Sequence, residues 1–486
     1  MKRMKRFFSH PGLPLLAGAV LRLLFVLKYP TASGDTVLYE QFATNWIKLG
    51  KLAMDIDGVA TPVDLRMPGY PAFLAIVYAI TGRTGENARL AVMLAQTLVD
   101  LAGCLVIATL AAVLVRLCGQ PSKSKRVFLF ALWLAALCPF IANYVAVPLT
   151  EVWATFLTGV AFLLLVLVAA ALAGTSILLW RGRELRLQDV WKLAAVAGFV
   201  VGIGALLRPE TPLLLITTFV ALAFYMLPRG QWKHWFALCA LLGVACLVPL
   251  IPWTIRNAIT LHEFQPLAPK DTTLPSEVDP KGFMAWERTW LYRVRDNYLV
   301  AWKLNDDVIN LDDIPSSAFD TPEERDRVAA VLDKYNDDLT WTREEDAIFG
   351  QLARERTARH PLRTYLWIPL RRANRIWFTP RIELLPISGH VFPLAYQREE
   401  DPVDQEMTIL FFFLNVLYVA LALWGIAKLW CCPAARLPVA VLLFYILVRT
   451  AFLTTLETPE PRYVLVCFPA VLAFAAQVVA GRRPAQ

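Results

Sequence analysis

Charge is what this sequence has least of. Of 486 residues only 18% are Asp, Glu, Lys or Arg, while 57% are hydrophobic and the mean hydropathy is +0.49. An ordinary soluble domain carries about a quarter charged residues, so that class is excluded. Cysteine is sparse too. The eight (Cys104, Cys118, Cys138, Cys239, Cys246, Cys431, Cys432 and Cys467) lie within or beside apolar stretches and none in the long polar region, which argues against a disulfide framework and a Cys-x-x-Cys metal site. Cys431-Cys432 reads as a pair of membrane-edge thiols rather than a lipidation site. Five scattered histidines speak against zinc. The sequence has no Asn-x-Ser/Thr signal, no repeat, no low-complexity tract and no nucleic-acid-binding motif. Its formal charge of +8 is therefore read as basic cytoplasmic loops.

Apolar runs and aromatic rings fill the space. Sixteen Trp and 27 Phe suit the interfacial belts of a membrane protein. The basic start, Met1 to Arg6, precedes an apolar stretch from about Pro11 to Leu27 with no evident small-residue cleavage site, and reads as an uncleaved signal anchor. Basic residues stay inside, so the next loop faces outward. Residues 36–50 place Leu38, Phe42, Ala43, Trp46 and Leu49 on one helical face, which predicts a helix lying in the interface. Residues 70–81 are apolar but about a dozen long where crossing takes about twenty, and predict a second interfacial or re-entrant helix. If they crossed, the loop with Arg116, Lys123, Lys125 and Arg126 would face outward, against the positive-inside rule.

Further spans are expected at about 88–115, 127–141, 150–179, 191–207, 211–227, 233–255, 407–427, 437–454 and 463–480. With the first segment this makes about ten, an even number, so both termini are expected in the cytoplasm. The polar region from about Arg256 to Glu406 then lies outside. Within it, helices are predicted at 322–337 and 343–359, the first announced by Thr321-Pro322-Glu323-Glu324. Residues 361–378 mix Leu, Ile, Trp and Tyr with Arg363, Arg371, Arg372 and Arg375, the pattern of an interfacial helix. The expected organisation is an all-α polytopic membrane protein in three parts. These are a membrane module at 1–255 with a first outer loop at 30–87, an α-rich outer domain at 256–406, and C-terminal membrane helices at 407–486.

Ionisable residues at span ends fall on one side: Asp35, Arg66, Arg89, Glu151, Arg208, Glu210, Arg256, Glu457, Glu460 and Arg462. Any one of them can be a snorkelling side chain or a helix cap, and Asp35 in particular can be the N-cap of the 36–50 helix. Their gathering on one face, beside a loop that does not span, points to function. The loop also carries Glu40, Asp55 and Asp57; Asp55-Ile56-Asp57 reads as a solvated turn rather than a metal pair.

Several of these residues sit in a recognisable order. Asp35-x3-Tyr39 is followed by Arg66-Met67-Pro68-Gly69-Tyr70-Pro71-Ala72-Phe73-Leu74, Ala88-Arg89-Leu90, Pro148-Leu149-Thr150-Glu151 and Leu207-Arg208-Pro209-Glu210. Pro252-Trp253-Thr254-Ile255-Arg256-Asn257 and Pro459-Glu460-Pro461-Arg462-Tyr463 complete the series. The set resembles the GT-C glycosyltransferases, among them the protein O-mannosyltransferase-like and aminoarabinose-transferase-like bacterial enzymes. It departs from them at Met67, where proline is usual, and the stretch at about 270–406 resembles nothing we can name.

The resemblance implies an outer-face enzyme that moves a sugar from a polyprenyl-phosphate carrier to an acceptor glycan, lipid or protein, usually with inversion. A hydroxyl acceptor needs a base, and Asp35 matches the acidic residue of the family's first loop. The leaving lipid phosphate needs cations. Arg89 matches the arginine that opens the span after the loop, with Arg208 and Arg462 as further phosphate candidates. Tyr39, Arg66, Tyr70, Glu151, Glu210, Arg256 and Glu457 are implied substrate-binding candidates. The one cofactor left open is a divalent metal, as in some GT-C oligosaccharyltransferases. Two other classes fit the composition: a transporter or flippase, for which paired repeats are wanting, and a noncatalytic binder of polyprenyl-linked sugars.

Overall fold

A computed structural model describes residues 10–56, 58–174, 188–269, 277–381, 384–385, 387, 402–458 and 460–481. Internal contacts divide the chain into two units. Met1–Ala268, Pro380–Ile446 and Leu465–Gln486 make the first, Pro269–Thr379 and Leu447–Val464 the second. The second unit therefore joins most of the polar region to the end of one membrane-type helix and the loop after it.

The first unit is built of helices: α1 (Gly12–Lys28), α2 (Gly34–Leu49), α3 (Gly69–Thr81), α4 (Arg89–Leu117), α5 (Ser124–Ala136), α6 (Glu151–Leu172), α7 (Asp189–Ala205), α8 (Leu213–Met226), α9 (Trp232–Leu247) and α10 (Ile251–Thr260). Six helices among the described residues are long and apolar enough to cross a membrane: Gly85–Leu117, Glu151–Leu172, Trp232–Thr260, Pro402–Trp430, Pro433–Thr454 and Pro461–Ala480. The bent pair Pro121–Ala136 and Pro139–Ala146, at 50°, makes a seventh if counted as one span. The protein is thus an all-α multi-pass membrane protein, whose expected spans include three helices shorter than these. The three are α1 and α7, at 17 residues each, and the short apolar helix Leu213–Arg229. At 1.5 Å per residue, 17 residues reach about 25 Å, against a hydrocarbon core of about 30 Å.

Where apolar surface faces lipid on both sides, helices associate through close packing and polar contacts. Gly198 and Gly202 of α7 show the first device. A Cβ at either would strike the carbonyl oxygen of Leu242 or Cys246 on α9, so only glycine permits this approach. The second device is an ion pair that the sequence patterns did not single out. Arg22 of α1, fully buried, gives Nε to Asp100 Oδ2 of α4 at 2.5 Å and Nη1 to the carbonyls of Gly18 and Ala136 at 2.9 and 2.7 Å. Truncating one partner would strand the other charge among apolar helices.

One cysteine contact was not expected. Cys118, at the end of α4, and Cys432, after Pro402–Trp430, lie side by side with Cα atoms 5.6 Å apart. The two lie 314 residues apart in the chain, so no local spacing announces the contact.

The second unit has the core of a small water-soluble domain. Phe283, Trp286, Trp290, Tyr335, Trp341 and Phe349 pack edge to face around it. Its helices Pro322–Asp338 and Arg343–Arg359 fall where the sequence pattern places them, each started by a threonine that accepts from the backbone N–H three residues on. Residues 361–378 form a π turn, Arg363–Trp367, followed by the helix Ile368–Phe378. Leu362, Tyr365, Trp367 and Leu370 are exposed there, while Ile368, Arg372 and Ile376 are buried.

Candidate active site

The loop after α1 is anchored at both ends before it presents any chemistry. Its helix α2 is capped by Ser33, not Asp35. The Ser33 hydroxyl accepts from Thr36 N–H at 3.4 Å, and the Thr36 hydroxyl accepts from Ser33 N–H at 3.1 Å. Asp35 is therefore released from capping. It sits in the first turn, where the helix dipole favours a carboxylate. The helix ends at Gly50, left-handed at φ 67°. Tyr39, Glu40, Phe42 and Ala43 are buried, while Trp46 and Leu49, expected on the same face, are exposed. The buried stripe is rotated because α2 packs on α3 and the loop's own hairpin.

That hairpin pairs Ala53–Ile56 with Val59–Pro62, and no strand was expected there. Asn45 holds it to α2 by donating Nδ2 to Ala53 O and to Asp55 Oδ1, both at 3.0 Å. Asp55 is thus a hairpin residue; Asp57 lies outside the described residues. The return strand delivers Arg66, whose Nη2 meets Asp35 Oδ1 at 2.9 Å with both side chains about one-third exposed (35% and 29%). Three residues later Gly69 N–H donates to Leu206 O at 2.7 Å. A Cβ on Gly69 would stand 2.6 Å from that oxygen, so the start of α3 is seated directly on the end of α7.

A second ion pair faces the same residues. Arg208 gives Nη2 to Glu151 Oε1 at 2.7 Å and Nε to the Thr150 hydroxyl at 3.1 Å, with Glu210 at 3.7 Å from Nη1. The Pro148–Glu151 turn touches the start of α2, where the Thr36 hydroxyl donates to Pro148 O at 3.2 Å. Between the pairs stands Tyr39. Burial is the main cause that pushes its phenol up to about 12, with Asp35 and Glu151 adding to the shift and Arg66 and Arg208 opposing it. Its ring meets that of Tyr70 edge-on at 5.1 Å, and Tyr70 donates to Gln96 Oε1 at 2.6 Å. The structure thus brings Asp35, Tyr39, Arg66, Tyr70, Glu151, Arg208 and Glu210 into one cluster.

Other candidates are placed differently. Arg89 gives Nε and Nη2 to the two carboxylate oxygens of buried Glu40 at 2.7 and 2.9 Å, and Nη1 to Glu86 at 3.1 Å. Arg256 donates to backbone carbonyls of the loop. Glu457 and Arg462 belong to the second unit. There Arg288 Nε lies 3.4 Å from Glu457, and Arg462 pairs with Glu460 at 2.6 Å. Neighbouring Glu287, which the sequence patterns passed over, is buried. Burial first, and then the Glu457 charge, hold its carboxyl well above the usual range against Arg372 and Arg288.

Among the described residues, no three His, Cys, Asp or Glu side chains converge as metal ligands. In the cluster, Asp35 and Glu151 each face a guanidinium, and a cation-compensated carboxylate is a poor donor for a divalent ion. The described residues of the cluster do not fit a metal site.

No protein-family model and no curated protein matches the sequence. Solved structures do. The oligosaccharyltransferase AglB from Archaeoglobus fulgidus, in complex with an inhibitory peptide and a dolichol-phosphate, is similar over 96% of this chain and 50% of its own, at 12% identity and a TM-score of 0.48. Its apo form gives the same values. ArnT from Cupriavidus metallidurans bound to undecaprenyl phosphate is similar over 97% of this chain and 78% of its own, at 12% identity and a TM-score of 0.41. The chain spans about half the length of the archaeal oligosaccharyltransferase chains it matches.

Proposed function

We propose that the protein is a membrane glycosyltransferase that moves a sugar from a polyprenyl-phosphate carrier to an acceptor on the outer face. The observation that carries this reading is a reachable carboxylate, Asp35, paired with Arg66 and set beside a second arginine–carboxylate pair, Arg208–Glu151. That is the inventory an acyl-free group transfer to a hydroxyl needs: one base and a cation for the departing phosphate. The acceptor hydroxyl gives its proton to Asp35 as its oxygen bonds to the anomeric carbon. On the opposite side the bond from that carbon to the phosphate oxygen breaks, and the electron pair leaves with the lipid phosphate. A single displacement of this kind inverts the carbon.

Arg208 is our choice for the phosphate, since it belongs to the cluster around Tyr39. Arg89 is assigned second, because its partners, Glu40 and Glu86, are not among the residues of that cluster. Arg462 and Glu457 stay candidates within the second unit. The outward orientation rests on the basic loops at 116–126, 229–233 and 428–436. Reporters fused after Lys123 and near Asp312 should read cytoplasmic and outer, respectively.

The direct test adds purified protein to a panel of labelled polyprenyl-phosphate sugars and asks which loses its sugar. Transfer by the native chain, abolished in Asp35→Asn with donor binding retained, supports the assignment. A native chain that moves labelled lipid across vesicles without cleaving any member of the panel would favour a flippase.

A further inference from the structure

We propose that Arg256 is a positioning residue that sets the register in which Arg66 meets Asp35, rather than a residue that touches substrate. The inference rests on the reading of Asp35 and Arg66 as parts of a transferase site. Arg256 lies on α10, far along the chain from the loop after α1, yet its guanidinium closes the mouth of the β-hairpin. Nη2 donates to Leu52 O at 2.7 Å and Nη1 to Val63 O at 3.1 Å. Leu52 and Val63 flank the last pair of the ladder, Ala53 with Pro62, so the two accepting carbonyls belong to the strands just where they part.

The guanidinium itself is held. Nη1 also donates to Asn257 Oδ1 at 2.8 Å, and Asn257, fully buried, donates onward to Gln265 O at 2.8 Å. The guanidinium carbon lies 5.0 Å from the centroid of the Trp253 ring. Trp253 packs with Phe42, Leu52, Val63 and Met67 in the apolar cluster under the loop. A planar donor fork fixed on one face and aimed at two carbonyls is a rigid spacer between two strands.

What the spacer controls follows from chain order. Leu52 comes two residues after Gly50, which ends the helix that Asp35 begins. Val63 comes three residues before Arg66. The two halves of the Asp35–Arg66 pair therefore leave the hairpin mouth on opposite strands, and Arg256 spans that mouth. A hairpin with only four residues in each strand carries few ladder bonds of its own and is marginal alone. Without the fork, the segment that carries Arg66 is free to shift against α2, and a displacement of about 1 Å at a reacting centre costs about a hundredfold in rate.

The experiment uses the intact protein with Arg256→Gln, Arg256→Lys, Arg66→Ala and the Arg256→Gln/Arg66→Ala double variant. Backbone hydrogen exchange over residues 50–68 and the kinetics of sugar transfer are both measured. Arg256→Gln should speed exchange across 50–68 while α4 and α6 stay protected. It should lower kcat by about ten- to a hundredfold with donor KM little changed. Arg256→Lys, which offers one amine to two carbonyls, should fall between. In the Arg66→Ala background the further loss on adding Arg256→Gln should shrink to less than about threefold, since the two residues act through one contact. A rise in KM at constant kcat, full additivity with Arg66→Ala, or unaltered exchange over 50–68 overturns the proposal. If the native chain transfers no sugar from any donor, it is the transferase reading that fails, and the exchange data alone decide whether Arg256 holds the loop.

Discussion

Asp320 in the second unit and Asp35 in the first both stand near the start of a helix, and both are met by arginine. Asp320 takes two bonds from Arg363, at 2.5 and 2.9 Å, with Arg356 and Arg359 at 3.1 and 3.2 Å; its side chain is 10% exposed. Glu324 beside it shares Arg356 and Arg359. Burial would raise both carboxyls, but Arg363, Arg356 and Arg359 more than offset it at Asp320, and the Asp320 backbone N–H, then Arg359 and Arg356, do so at Glu324, so both lie below the usual range. Asp35 instead meets Arg66 in a pair whose two side chains remain about one-third exposed. The first arrangement ties the helix Pro322–Asp338 to Arg343–Arg359 and the turn beyond it. The second leaves a carboxylate where a small molecule can reach it. A charge invested in packing and a charge kept available look alike in a sequence, and exposure is what separates them.

That contrast is broken most directly by making the same substitution in both places. Asp35→Asn keeps size and helix start, because Ser33 is the cap, and removes a base. General-base catalysis contributes about 10²–10⁴ in rate, so transfer should fall by that factor while the unfolding temperature holds. Asp320→Asn should do the reverse, lowering stability while turnover per folded molecule persists. If Asp35→Asn transfers within a few-fold of the native rate, the base must be sought among Glu40, Asp55 and Asp57. Next in size is Arg356→Ala. Its guanidinium is fully buried between Asp320 and Glu324, and removing one partner of such a group costs about 3–5 kcal/mol. Limited proteolysis across 269–379 should accelerate in this variant, with cleavage elsewhere unaffected.

The amount of this that was legible in the sequence varies with the kind of physics involved. Hydropathy runs placed the long helices, and threonine caps followed by acidic residues placed 322–338 and 343–359 within a residue or so. Three of the expected spans, α1, α7 and Leu213–Arg229, are apolar helices of 17 residues, at the short end of what crosses a bilayer. The hairpin escaped notice although Asp57-Gly58 is the dipeptide favoured by two-residue hairpin loops; four-residue strands give alternation too little length to register. For the site, motif order singled out Asp35, Arg66, Glu151 and Arg208, but not their pairing, which depends on contacts 31 and 57 residues apart. Arg22 with Asp100 and Glu287 were invisible for the same reason. A lone charge in an apolar run carries no sign of its partner.

The two arginines put forward for the carrier phosphate sharpen the comparison within the first unit. Arg208 sits among Thr150, Glu151 and Glu210 in the cluster, while Arg89 grips Glu40 and Glu86. A charge-assisted contact is worth about 1.5–3 kcal/mol, so Arg208→Ala should weaken donor binding by about ten- to a hundredfold. Arg89→Ala should leave donor affinity within a few-fold and instead lower the unfolding temperature, because it strands Glu40. Titrating labelled donor against both variants in folded form decides the matter. An Arg89 effect on affinity larger than that of Arg208 would return the phosphate to Arg89.

The last expected effect concerns a group of the opposite kind, a buried acid that opposes folding when charged. Glu287 ends the short helix Lys281–Glu287 and is 2% exposed, facing Glu457, Arg288 and Arg372. Burial and then Glu457 raise its carboxyl well above the usual range, whereas in the unfolded chain it titrates near about 4.3. Between those two values the folded form holds a proton that the unfolded form has lost. Stability therefore falls as pH rises through that window, with a slope approaching about 1.4 kcal/mol per pH unit, and the contribution is complete only below the unfolded value. Asp320 and Glu324 have the reverse sign: they contribute above the unfolded carboxylate range and are lost as pH falls through their lowered values. Glu287→Gln keeps the shape of the protonated acid and removes its titration. The unfolding midpoint of the variant, followed from pH 5 to pH 9, should decline less steeply than that of the native chain while the acid limb keeps its slope. A native-like alkaline slope in Glu287→Gln would assign that slope to another group and leave Glu287 charged in the fold.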